Sequence, residues 1–114
     1  MTFPLQITYR HLEPSAAADE LIREKADKLG QLDRVTSCRV VIEAPHRSQS
    51  KGNHYKVTID LSIPGTELVV DRSPDQRVEH EDLFVAIREA FDHAWRELET
   101  YEQRRRDRRH VSSI

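Results

Sequence analysis

The feature that most constrains this chain is the alternation in "HYKVTIDLSI", residues 54–63. Tyr55, Val57, Ile59, Leu61 and Ile63 recur at every second position, with His54, Lys56, Thr58, Asp60 and Ser62 between them. Successive side chains of a strand point to opposite faces, so the pattern predicts a strand with one face buried and the other in water. Such a sheet needs a second layer over its apolar face. Pro64-Gly65 follows, a pair suited to a tight turn, and "TELVVDR" (66–72) reads as the returning strand of a hairpin.

Two further strands are legible. "LQITY" (5–9) alternates Leu5, Ile7 and Tyr9 against Gln6 and Thr8. "TSCRVVIEA" (36–44) sets Cys38, Val40 and Ile42 on one face, and Pro45 ends it. Between them, "EPSAAADELIREKADKLGQL" predicts a helix with Ser15 as its cap and Asp19 and Glu20 near its positive end. Its apolar stripe is Ala18, Leu21, Ile22, Ala26 and Leu29, with Gly30 expected to stop it. "EDLFVAIREAFDHAWRELETYEQRRR" (81–106) predicts a second, longer helix. Phe84, Ile87, Phe91, Ala94, Leu98 and Tyr101 form its stripe, widened by Trp95.

The order β-α-β-β-β-α predicts an α+β fold, with both helices packed on one face of a single four-stranded sheet. A crossover through the first helix makes the first two strands parallel. At 114 residues the chain is expected to be one domain, 1–106, followed by a short C-terminal tail, 107–114. "PHRSQSKGN" (45–53) and "SPDQRVEHE" (73–81) are polar connections.

Little in the chain points to catalysis. Gly-rich phosphate loops, nucleophile elbows and dinucleotide fingerprints are absent, and the six histidines lack metal-ligand spacing. Cys38, with apolar neighbours on its strand face, reads as an inert buried thiol. No metal and no cofactor are expected. Glu97, Glu99 and Glu102 read as helix-surface charges, with Glu102 pairing with Arg106 at i,i+4. A single cysteine, no long apolar span and no secretory signal at "MTFPLQITYRH" together suggest a cytoplasmic protein without a membrane partner.

Charge is distributed unevenly. The net charge is -2, yet Arg104, Arg105, Arg106, Arg108 and Arg109 surround one acid, Asp107. The segment 44–59 has no acid and holds Arg47, Lys51 and Lys56. On the first helix Lys25 and Lys28, with Arg23 nearby, and on the second Arg88, Arg96 and the 104–109 run, are candidate RNA contacts. Helices side by side on a sheet present such cations to the phosphates and 2′-hydroxyls of A-form RNA. Each residue alone also fits an ordinary solvated charge.

Taken in order, the element sequence, "REKADKL", "SCRVVIE" and "EDLFVAIREAFDHAWREL" resemble the ribosome hibernation promoting factor family, also called ribosome-associated inhibitor A or sigma-54 modulation proteins. The resemblance spans about Leu5 to Arg106. Lys25 and Lys28 match the two lysines of the family's "AKxxKL" pattern. Ala86, Ile87 and Asp92 match its "AID…D" segment, and Arg96 its basic residue before a leucine. His93 stands in place of a usual lysine, and Glu99, Thr100 and Glu102 interrupt a stretch that is basic in typical members.

The resemblance implies a fold similar to a double-stranded RNA-binding domain with an extra strand, and no enzymatic activity or small-molecule substrate. It implies binding to the small ribosomal subunit through 16S rRNA at the decoding region, silencing idle ribosomes. Self-association is not implied. The competing reading is a divergent protein-binding module whose acidic second helix docks a cold-shock partner or a second copy.

Overall fold

The computed structural model describes residues 3–32, 34–44, 55–72 and 82–112, with side chains described as far as residue 108. They form β1 (Leu5–Arg10), α1 (Ala16–Leu32), β2 (Ser37–Glu43), β3 (Lys56–Ile63), β4 (Thr66–Arg72) and α2 (Leu83–Ser112). The sheet order is β1-β2-β3-β4, with β1 parallel to β2 and the other neighbours antiparallel. The expected α+β architecture is the observed one. The polar connections at 45–53 and 73–81, with Arg47 and Lys51, lie outside the described residues.

One sheet face carries the core. Cys38, Val40 and Ile42 of β2 and Val57, Ile59, Leu61 and Ile63 of β3 are buried there. Against them lie Ala18, Ile22, Ala26 and Leu29 of α1 and Ile87, Phe91 and Leu98 of α2. Each fully buried Leu, Ile or Val contributes about 1.5–3 kcal/mol relative to exposure. Ala86, Ala90 and Ala94 are also buried, an i,i+4 ladder that brings α2 close to the strands beneath it. Phe84 and Tyr101, expected in the stripe, are only half-buried.

Local chemistry fixes both helix starts. The Ala18 N–H donates to Ser15 Oγ at 3.1 Å, and the Phe84 N–H donates to Asp82 Oδ1 at 2.8 Å. Each satisfies an amide that the helix leaves without an internal partner. Gly30 does not stop α1, which runs on to Leu32. Its missing side chain serves packing instead, because the Phe3 ring lies against it. The glycine that does turn the chain is Gly65, at φ 87° between β3 and β4.

The outer sheet face is mostly polar. Arg39 stands opposite Asp60, Glu43 opposite Lys56, and Lys56 Nζ lies 3.7 Å from Asp71 Oδ2. Val41, half-buried, and Val69, 60% exposed, are the apolar exceptions on β2 and β4.

The topology also sets the helix directions. β1, β2 and β4 point the same way, and each helix returns across the sheet from the end of one of them, so α1 and α2 are parallel. They differ in length, 17 residues against 30. At ~1.5 Å per residue α2 is about 45 Å long, whereas a strand of this sheet covers at most about 27 Å. The end of α2 therefore passes beyond the sheet. Residues 103–108 are exposed all around the helix, and the molecule measures 59 Å along its longest axis.

Candidate nucleic-acid interface

The placement of each basic residue follows from helix phase and a few side-chain contacts. On α1, Asp19 accepts a hydrogen bond of 2.7 Å from the Tyr9 hydroxyl of β1, and the Phe3 ring packs against Gly30. At ~100° per residue, Arg23 shares that flank with Asp19 and Gly30. Burial and the Asp19 contact push the Tyr9 hydroxyl up to about 12, and the positive charge of Arg23 works against that rise. Arg23 thus stands at the β1 edge of the molecule.

Lys25 and Lys28 occupy the other flank, with Leu21 and Leu32. This side turns toward α2, and Leu21, Lys25 and Leu32 are half-buried along it while Lys28 is exposed. A half-buried lysine keeps its methylenes on apolar surface and its ammonium in water.

On α2 the flank toward β4 is marked by Glu89. Arg72 of β4 donates to it through Nε at 3.1 Å and Nη2 at 2.7 Å, and donates through Nη1 to the Tyr55 carbonyl at 3.1 Å. The opposite flank faces α1 and carries Phe84, Arg88, Phe91 and Trp95. Lys25, Lys28 and Arg88 therefore line one groove between two parallel helices. Arg96 follows Glu89 by seven residues, about two turns, so it lies on the flank away from α1 and is exposed.

The arginine run lies beyond the sheet. Arg104, Arg105, Arg106 and Arg108 are all exposed, and the side chain of Arg109 lies outside the described residues. Glu102 corrects the expectation of a surface charge, because it is 8% exposed. It accepts hydrogen bonds from Arg105 Nη2 at 2.5 and 3.0 Å, and Arg106 Nε approaches to 3.9 Å. The expected Arg106 pair forms, but Arg105 is the nearer partner. A buried carboxylate needs such cations, since an unpaired one is strongly disfavoured. The signal was present in the sequence: Glu102 follows Leu98 by four residues and so continues the buried stripe.

The nine candidate cations whose side chains are described form no single patch. Arg23 is set apart at the β1 edge; Lys25, Lys28 and Arg88 share the interhelical groove; Arg96 faces outward; Arg104, Arg105, Arg106 and Arg108 surround the overhanging end of α2. Cys38 offers no competing chemistry, because burial, with a smaller contribution from the Asp60 charge, pushes its thiol up to about 12. Among the described residues, no cluster of three or more His, Cys, Asp or Glu is arranged to hold a metal ion. None of their helices is long and apolar enough to cross a membrane.

Comparison with known proteins matches this architecture to others. The solved structure of the Thermus thermophilus Protein Y N-terminal domain superposes with a TM-score of 0.67 at 18% identity, covering 84% of this chain and 94% of that one. A ribosomal subunit interface protein from Coxiella burnetii gives a TM-score of 0.68 at 15% identity, covering 89% and 99%. At such identities the likeness is one of fold. No curated protein matches the chain by sequence. The family model described as sigma 54 modulation protein / S30EA ribosomal protein matches residues 5–106. That span takes in every strand, α1 and all of α2 that packs on the sheet, and the chain belongs to the sigma 54 modulation protein / S30EA ribosomal protein family.

Proposed function

We propose that this chain is a non-enzymatic factor that binds the small ribosomal subunit through 16S rRNA and holds idle ribosomes silent. The observation that carries the reading is the groove between the parallel helices. Lys25, Lys28 and Arg88 line it from both sides, on a chain whose family match covers residues 5–106. Cations on two helices held at fixed separation suit a phosphate backbone, whose charge supplies most sequence-independent affinity. Arg96 and the α2 overhang extend the positive surface away from the sheet. Such contact needs no cofactor and no small-molecule substrate, and it belongs in the cytoplasm with the ribosome.

Co-sedimentation with purified small subunits tests the reading. The parent protein pellets with them and inhibits translation in a reconstituted system; a Lys25→Ala/Lys28→Ala double variant does so less. A parent protein that stays in the supernatant, or that binds without reducing translation, overturns it.

A further inference from the structure

The overhanging end of α2 is not a uniform cationic rod. Glu102 already occupies Arg105, through Nη2, and stands 3.9 Å from Arg106 Nε. Asp107 lies on another side and accepts a hydrogen bond from Gln103 Nε2 at 3.2 Å. Among the described residues no carboxylate pairs with Arg104 or Arg108, and both are exposed. They are four residues apart and so stand on one flank, separated by a rise of ~6 Å. Arg106 stands on the far side of the helix from them.

We propose that Glu102 acts as an internal substitute for phosphate, neutralising Arg105 and partly screening Arg106, and leaves Arg104 and Arg108 as the pair that grips an RNA backbone. The physical basis is competition. A phosphate approaching Arg105 must displace a carboxylate that is itself buried, and stripping that carboxylate of its cations leaves a buried charge uncompensated. A phosphate approaching Arg104 or Arg108 displaces only water and counterions. The ~6 Å rise from one arginine to the next is on the order of the spacing between successive phosphates of one strand, so a single strand meets both guanidiniums. Arg is suited to the task because its planar donors match phosphate oxygens two at a time.

This assignment rests on the RNA-binding reading above but names a different part of the molecule, and the two fail separately. The experiment measures binding of the full chain to a fluorescein-labelled duplex RNA across a salt series, beside co-sedimentation with small subunits. Arg104→Ala/Arg108→Ala is expected to weaken RNA binding by about tenfold or more at low salt and to flatten the log–log salt slope by roughly 0.7–0.9 per lost contact. Arg105→Ala/Arg106→Ala, made together with Glu102→Gln so that no buried carboxylate is stranded, is expected to change affinity less than about threefold, its cations being already neutralised in part. Glu102→Gln is expected to tighten binding and steepen the slope by about one contact.

Equal losses from the two arginine pairs overturn the proposal, whatever becomes of Glu102→Gln. So does a parent protein that binds polyglutamate as tightly as RNA, or one that binds no RNA. A parent that shows the predicted pattern on RNA but fails to pellet with small subunits overturns the ribosomal reading alone. One that pellets normally, with all three variants alike, overturns the assignment to Glu102 alone.

Discussion

The ring of Phe3 fills the space that a side chain at Gly30 would need: a Cβ built there stands 2.6 Å from Phe3 Cε2. Gly30 sits inside α1, where alanine in its place favours the helix by about 0.8–1 kcal/mol. The two effects oppose each other. Gly30→Ala is expected to destabilise the parent because the ring must leave its seat, and overpacking costs typically about 1–3 kcal/mol. In a Phe3→Ala background the same change is expected to stabilise. Chemical denaturation of the four proteins of this cycle measures the reversal of sign; additive effects refute the contact.

Phe91 is the largest side chain that α2 buries, 3% exposed against the sheet. Phe91→Ala removes most of a ring from a packed layer and is expected to cost about 3–5 kcal/mol. That is a large fraction of the stability of a domain this size. A thermal midpoint near that of the parent contradicts the packing described.

Lys25 and Lys28 separate folding from binding. Their double substitution by alanine is expected to leave stability within about 0.5 kcal/mol of the parent. Far-ultraviolet circular dichroism and thermal melts check the first half, and subunit co-sedimentation the second. Binding equal to that of the parent removes the groove between the helices from the proposed contact.

Glu67 provides a pH dependence. A hydrogen bond with Asp60, and then the charge of Asp60, raise its carboxyl above the usual value, while Arg39 opposes them. The folded state therefore holds this proton more tightly than the unfolded chain. The contribution is fully present below the ordinary carboxylate value and is lost as pH rises through the raised one. Glu67→Gln is expected to abolish that decline and to give a higher melting temperature than the parent near neutral pH. Parallel melting curves across the acidic range for parent and variant contradict the pairing.

The arginine run serves both stability and binding. Removing residues 104–114 takes Arg105 and Arg106 from the buried Glu102 carboxylate, so the melting temperature is expected to fall, and Glu102→Gln in the same truncation is expected to restore part of it. RNA affinity is expected to fall and its salt slope to become shallower. Unchanged affinity with unchanged slope returns the run to the role of a solvated helix end.

Most of the fold was legible because each strand and helix declares one apolar face. Val57, Ile59, Leu61 and Ile63 name their own side of β3, and Ile87, Phe91 and Leu98 theirs on α2. Gly30 misled because helix propensity is a local quantity, whereas its reason for being there is the ring of Phe3, distant in sequence. Glu102 misled for a related reason: residue type outweighed position, although its spacing from Leu98 marked it for burial. The candidate site was legible as a set of residues but not as a surface. The contacts of Asp19 with Tyr9, of Gly30 with Phe3 and of Glu89 with Arg72 fix which flank of each helix faces the other, and so divide Arg23 from Lys25 and Lys28.

The overhang of α2 also has a kinetic consequence. A helix of its own length would rarely nucleate in water, so the turns holding residues 103–108 exist by propagation from the part seated on the sheet. Their hydrogen bonds open without disturbing anything else, whereas those near Phe91 open only with the whole domain. Amide exchange should therefore proceed inward along α2 from the arginines, fraying first where guanidiniums crowd one another. A bound polyanion relieves that crowding, so the protection it confers on these amides reports occupancy turn by turn.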